Sequence, residues 1–345
     1  MGVIPAKVLF EISINCLFLI LKLPRAYPCD QMNTTPTTED RIWAVLSHLS
    51  SLAFGMGILL PIIGWADQRR KSNYTSFQSL QALGYQSLGY TIWILSYLLV
   101  IIATSFVMLV IIGRAAQTGQ NTDALLGPWI IIIFVVVFGF FALYFLLPIM
   151  AAVACALGLD FRYPILGNRL ARYLGYGLAQ EAEDSQWLDE DHEFRWVVAM
   201  GHFSVIILLW GMLAPLTTLI LYGKQSFFMK FQSAQTLIYQ SVTIVLYLGA
   251  GFLYLFGFIS LIAFTGFTGE ANLNSPMGMF GLIVFGVTLL IVIGIVLLIP
   301  LMHILGQWAG YRVLKGDNYH YPIIGSLVNR QISKQLKRDK EEKLT

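Results

Sequence analysis

Apolar residues run without an acid, lysine or arginine through four long stretches of this chain, residues 83–112, 128–158, 234–264 and 278–309. Each exceeds the roughly 20 residues that a helix needs to cross the hydrocarbon core of a bilayer. Two further apolar stretches, residues 42–66 and 196–222, are interrupted: the first by Gly55, Gly57, Pro61 and Gly64, the second by Gly201, Gly211 and Pro215. Glycine and proline at those positions predict helices that stop and turn rather than run through. The pattern predicts an all-α integral membrane protein with two tandem homologous units. Each unit would hold one broken helical segment, re-entrant or a short hairpin, followed by two long transmembrane helices.

Tandem units are read from a repeat. Phe77-Gln78-Ser79-Leu80-Gln81-Ala82-Leu83-Gly84-Tyr85-Gln86-Ser87 returns 154 residues later as Phe231-Gln232-Ser233-Ala234-Gln235-Thr236-Leu237-Ile238-Tyr239-Gln240-Ser241, with eight of eleven positions identical. The same spacing pairs Arg41 with Arg195, His48 with His202, Ser50 with Ser204 and Pro61 with Pro215. Matched polar residues inside apolar sequence are the signature of one structural unit used twice. Each unit closes on a Tyr-Pro motif, at Tyr163-Pro164-Ile165-Leu166-Gly167 and Tyr321-Pro322-Ile323-Ile324-Gly325. Pro148 and Pro300 fall late in the last span of their units, and the sequence aligns them with one another. That alignment sets His303 against Ala151, leaves it without a counterpart, and makes it a packing feature.

The resulting division is a leader over residues 1–38, a first membrane unit over 39–173, an acidic linker over 174–192, a second membrane unit over 193–332 and a basic tail over 333–345. The leader is unlike the rest, and a start at Met32 would account for it. Thr38-Glu39-Asp40 supplies capping chemistry for a helix beginning near Arg41.

Charge decides between two topologies. If each broken segment crosses once, the units are inverted and the basic residues divide poorly between the two sides. If each enters and leaves on the same side, Arg41, the loop Arg69-Arg70-Lys71, Lys224, Lys230 and the tail share one face. The preference for basic residues on the cytoplasmic side selects the second arrangement. It places both termini of this multi-pass protein in the cytoplasm. The units are then parallel, related by a pseudo-two-fold axis along the membrane normal. Only 12% of the residues are charged, about half the usual share, and membrane lipids are the first expected partner.

Candidate chemistry is sparse. Gln78, Gln81 and Tyr85, with Gln86 beside them, form a polar stripe on one helix, repeated as Gln232, Gln235, Tyr239 and Gln240. The stripe could line a groove or contact a partner protein; alternatively its amides pin the broken segment by interhelical hydrogen bonds. His48 and His202 could bind a haem or a metal between them, or could be histidines near the interface, bonded to backbone or, in the first unit, to Ser47. No carboxylate lies in the four long spans, and nucleophile–base pairs and phosphate loops are missing. Cys16, Cys29 and Cys155 lack metal-ligand spacing, with Cys155 expected in an apolar core. No enzyme activity, cofactor or nucleic-acid partner is expected.

The pattern Arg-x-Trp-Ala-x-Leu-Ser-His-Leu-Ser at residues 41–50, the broken segment, the basic loop, the Phe-Gln-Ser…Tyr-Gln-Ser helix start and the closing Tyr-Pro together resemble a bacterial membrane family of unknown function. That family is similar to the twenty-kilodalton Tic subunit of chloroplast protein import. The resemblance implies a scaffold or accessory subunit, with protein translocation as the process by analogy, and it supplies no catalytic residue. A solute transporter or channel with a site between the units is the alternative, and it would depend on Gln81 and Gln235.

Overall fold

The computed structural model describes residues 35–118, 122–177, 188–265 and 275–342. Residues 1–34, Cys16 and Cys29 among them, and the centre of the acidic linker lie outside the described residues, as does Glu270. Every regular element among the described residues is helical. The chain forms two compact units, with the boundary between Met200 and Gly201.

Helix α1 (Thr38–Leu49) begins three residues before Arg41, because Thr37 rather than Thr38-Glu39-Asp40 is the cap. The Thr37 hydroxyl accepts from the Asp40 amide at 3.2 Å and the Asp40 carboxylate accepts from the Thr37 amide at 2.8 Å. This reciprocal pair satisfies two of the amides that a helix start leaves open. The helix then breaks over Ser50–Ile58, where Phe54 takes φ 51° and ψ −142°, and resumes as α2 (Leu59–Gln68). A Cβ on Gly64 would lie 3.3 Å from the Trp43 ring and 3.2 Å from the Ser47 hydroxyl. Residues 17 and 21 positions apart meet only if α1 and α2 run antiparallel, side by side. The broken segment is therefore a hairpin. Its longer arm has 12 residues and rises about 18 Å, short of the roughly 30 Å hydrocarbon core. Residues Thr38–Gln68 are together apolar and long enough for a span, but they are folded back on themselves.

Helix α3 (Asn73–Thr118) and helix α4 (Thr122–Ala156) follow. The Thr75 hydroxyl donates to Asp40 at 2.9 Å, Gln68 donates to Glu39 at 3.0 Å, and Tyr74 donates to the Leu159 carbonyl at 3.0 Å. These bonds gather the start of α1, the end of α2, the start of α3 and the end of α4 at one end of the unit. The long pair meets farther along through Tyr97, which donates to the Val137 carbonyl at 3.0 Å. After α4 comes a short amphipathic helix, α5 (Leu166–Leu174), which buries Gly167, Leu170, Ala171 and Leu174.

Helix α6 (Glu190–Phe203) carries the unit boundary. Within the first unit, its Trp196 lies over Gly84, where a Cβ would come within 2.5 Å of the indole, and the Trp196 N–H donates to the Leu80 carbonyl at 2.9 Å. Nearby, Arg69 is buried between the Trp65 and Phe194 rings. It pairs with Glu190 at 2.9 Å and Glu193 at 3.3 Å, and Trp65 donates to Glu193 at 3.0 Å. Removing one member of a buried pair leaves the other charge uncompensated. We expect Arg69→Ala to destabilise the protein by about 3–5 kcal/mol, measured by thermal unfolding in detergent, with Arg69→Lys recovering part of the loss.

In the second unit α6 breaks over Ser204–Met212, where Leu208 takes φ 55° and ψ −127°, and returns as α7 (Leu213–Tyr222). A Cβ on Gly201 would lie 3.8 Å from Pro215, so this segment folds back as well. Helices α8 (Phe227–Thr265) and α9 (Pro276–Leu314) pack closely: a Cβ on Gly257 would meet the Thr288 hydroxyl at 2.0 Å, and one on Gly281 the Phe264 side chain at 2.8 Å. Helix α10 (Ile324–Glu342) runs on into the basic tail and buries Val328 and Ile332 against Phe231.

The helices continue through Pro148 and Pro300, but these prolines do not correspond. Tyr85 donates to the Tyr144 carbonyl and Tyr239 to the Met302 carbonyl, which sets Tyr144 level with Met302, 158 residues apart. Tyr163 and Tyr321 have the same spacing. Pro148 is thus level with Gly306, and His303 is level with Phe145. His303 bonds to the Tyr247 hydroxyl at 2.7 Å.

Candidate functional site

The repeated polar residues come together at the base of each unit, where the hairpin meets the first long helix and the Tyr-Pro motif. In the first unit His48 is fully buried. Its Nδ1 lies 3.0 Å from the Tyr163 hydroxyl and its Nε2 3.0 Å from Gln78 Oε1. The Gln78 amide nitrogen donates to Asp160 at 2.8 Å and to the Phe161 carbonyl at 3.1 Å. Two acceptors around that nitrogen fix the amide orientation, so Oε1 faces the histidine and can only accept. His48 therefore carries its proton on Nε2, and Nδ1 accepts from Tyr163. Gln81 donates to Gln78 Oε1 at 3.1 Å and to the Phe161 carbonyl at 2.9 Å, and accepts from the Tyr163 amide at 2.9 Å. Tyr85 stacks on the Tyr163 ring at 4.2 Å. Gln86 donates to the Ser50 hydroxyl at 2.8 Å.

In the second unit His202 bonds to Tyr321 at 2.9 Å and to Gln232 Oε1 at 3.1 Å. Gln232 donates to Asn318 at 2.6 Å and to the Tyr319 carbonyl at 3.0 Å. Gln235 donates to Gln232 Oε1 at 2.6 Å and to the Tyr319 carbonyl at 2.7 Å, and accepts from the Tyr321 amide at 3.2 Å. Tyr239 stacks on Tyr321 at 3.9 Å, and Gln240 donates to the Gly201 carbonyl at 2.9 Å. Thr236, where the first unit has Ala82, adds a hydroxyl 2.9 Å from His202 Nδ1.

The glutamine stripe thus faces inward. Gln78, Gln81, Gln86, Gln232, Gln235, Tyr239 and Gln240 are all buried, with Tyr85 partly so, and their amides hold the hairpin and the Tyr-Pro segment onto the long helix. The histidines do the same. Their partners are a tyrosine and a glutamine rather than backbone or Ser47, which bonds to Ser79 at 3.0 Å instead. Both ring nitrogens of each histidine have a hydrogen-bond partner, Tyr163 and Gln78 for His48, Tyr321 and Gln232 for His202. Among the described residues no three His, Cys, Asp or Glu side chains converge on a metal site. Cys155 is buried in the apolar cluster around Phe161 and Tyr163.

The two networks differ in charge. Asp160, in the loop after α4, also receives Arg162 at 3.1 Å, whereas Asn318 takes its place in the second unit. Burial raises the Asp160 pKa above the usual 3.8, opposed by Arg162 and by the bonds from Tyr176 and Gln78. The folded state therefore holds this proton more tightly than the unfolded chain, and stability falls as pH rises from about 3.8 through the raised value. Asp160→Asn should remove that part of the slope; unfolding temperatures of both proteins across acid and neutral pH measure it.

Sequence reasoning located the glutamines and histidines but gave no role to Tyr163, Tyr321, Asp160 or Asn318. The recurrence of Tyr-Pro at the end of each unit was the available signal.

A family model described as the magnetosome magnetite crystal formation protein family, MamF/MmsF, matches part of the chain. The match covers residues 39–170. It runs from the first turn of α1 through the hairpin, α3, α4 and the Tyr-Pro motif into α5, and so takes in His48, Gln78, Gln81, Asp160 and Tyr163 of the first network. No curated protein and no solved structure matches the chain.

Proposed function

We propose that this protein is a non-enzymatic accessory protein of a bacterial membrane compartment in which magnetite crystals form, with its units serving as scaffolds for other membrane proteins. The family match over residues 39–170 carries this reading. The inward-facing polar groups are consistent with it, since they brace the unit rather than meet a substrate. We read the second unit as a diverged copy of the first, on the strength of the equivalent bonds around His48 and His202. Both termini belong to the cytoplasmic side by charge placement.

The test is a tagged full-length protein purified in mild detergent from a magnetite-forming bacterium, together with deletion of its gene. Co-purification with a defined set of compartment membrane proteins, and crystals of altered size or number in the deletion strain, are the expected results. A lone monomer in several detergents, with unchanged crystals after deletion, would overturn the reading. Translocation subunits among the partners would instead favour the protein-import analogy.

A further inference from the structure

Both units carry the same strained turn next to their network. Ile165 takes φ 63° and ψ −52°, and the Leu166 amide donates to the Pro164 carbonyl at 2.6 Å. Ile323 takes φ 67°, and the Ile324 amide donates to the Pro322 carbonyl at 2.7 Å. This is the γ-turn with positive φ at its centre, the rare and strained form. A β-branched residue is the poorest choice there, because its Cβ substituents crowd the backbone in that region. Burial does not account for the choice either: Ile165 is 75% exposed and Ile323 77%. An isoleucine that suits neither its backbone nor contact with water, at equivalent places in two units, points to an apolar environment outside the protein.

The surroundings identify that environment. Each isoleucine lies nine residues beyond the end of a long apolar helix, which ends at Ala156 in one unit and Leu314 in the other. Each begins an exposed helical strip that becomes basic: Ile165 leads to Arg169 and Arg172 at i+4 and i+7, and Ile323 leads to Leu327, Arg330 and Lys334 at i+4, i+7 and i+11. The opposite faces of α5 and α10 are buried within their own units. An apolar tip followed by arginine and lysine on one helical flank matches a bilayer surface, with aliphatic carbon below and anionic headgroups above.

We propose that Ile165 and Ile323, held outward by strained γ-turns, insert into the interface of the protein's own membrane, while Arg172 and Arg330 bind anionic phospholipid headgroups beside them. The strain has a purpose in this arrangement, since a relaxed turn would not direct the side chain away from its unit.

The experiment uses the full chain in vesicles of phosphatidylcholine alone or with added phosphatidylglycerol. Nitroxide labels at Ile165→Cys and Ile323→Cys, in a background with the three native cysteines replaced by alanine, report collisions with oxygen and with a water-soluble nickel chelate. Oxygen collisions should dominate at both sites and increase several-fold relative to nickel when phosphatidylglycerol is present. Replacing Arg169, Arg172, Arg330 and Lys334 by glutamine should remove that increase. A second measurement separates anchoring from folding: Ile165→Gly and Ile323→Gly relieve the positive φ and should raise the unfolding temperature by about 2 °C each. They should also reduce the phosphatidylglycerol retained by the purified protein in native mass spectrometry by half or more. Labels equally open to nickel in both vesicles would overturn the proposal, as would glycine variants that retain lipid as wild type does. Labels that become occluded only in native membranes would place a protein over the turns and overturn it as well.

Discussion

Gly57→Ala is expected to prevent the first hairpin from closing. A Cβ at that position would lie 1.8 Å from the Ser50 carbonyl oxygen and 2.5 Å from its carbon. Both are backbone atoms, so no side-chain rotation relieves the clash, and the break itself must open. Gly211 stands in the same relation to Ser204, at 2.0 Å from the oxygen and 2.8 Å from the carbon. Opening either break detaches Ser50 from Gln86, or Ser204 from Gln240, so the loss extends beyond the local contact. Each substitution should cost at least about 4 kcal/mol, at the extreme of single-residue effects, and appear as loss of folded protein on size-exclusion chromatography in detergent. Gly139→Ala provides the contrast. Nothing lies within 4 Å of a Cβ there, and that variant should fold as wild type does. If Gly57→Ala folds with unchanged stability, the hairpin geometry is wrong.

Gln78→Leu should have the next largest effect. It strands four partners at once: the His48 N–H, the Asp160 carboxylate, the Phe161 carbonyl and one N–H of Gln81. A buried polar group left without a partner costs about 1–3 kcal/mol, and more when it is charged. Because some of these groups keep other partners, a total of about 4 kcal/mol is expected rather than the full sum. Gln232→Leu strands a similar set, but with the neutral Asn318 in place of Asp160. The first substitution should therefore cost more than the second by about 1 kcal/mol at alkaline pH, where Asp160 is ionised. In acid, where Asp160 is protonated, the two should converge. Unfolding temperatures of both variants at the two pH extremes measure this; equal costs at alkaline pH would show that Arg162 and Tyr176 satisfy the carboxylate without Gln78.

Much of the fold was legible because its determinants are local. Unbroken apolar length identified α3, α4, α8 and α9, and glycine with proline identified the two broken segments. Gly57 and Gly211 matter for a reason that composition cannot convey, the approach of a carbonyl from seven residues earlier. The glutamine stripe was visible as helical spacing, but its partners Tyr163 and Tyr321 lie more than 80 residues along the chain from Gln81 and Gln235. Sequence spacing cannot tell a stripe that faces a groove from one that faces its own loop. Proline misled in one respect. Pro148 and Pro300 suggested a register that the tyrosine bonds contradict, because a proline late in a membrane helix is tolerated at several depths. The Ile165 and Ile323 turns were invisible, since propensity argues against a β-branched residue at positive φ.

The first hairpin also gives its unit, taken by itself, a taper. Near Tyr163 and Pro164 four helical rods lie side by side; beyond the break at Phe54 only the two long helices continue. Where a bilayer takes in that break, the unit occupies more area in one leaflet than in the other. Lipids close around such a wedge with least strain where the membrane bends away from the broad end, so the shape of the unit would favour one sign of curvature over the other.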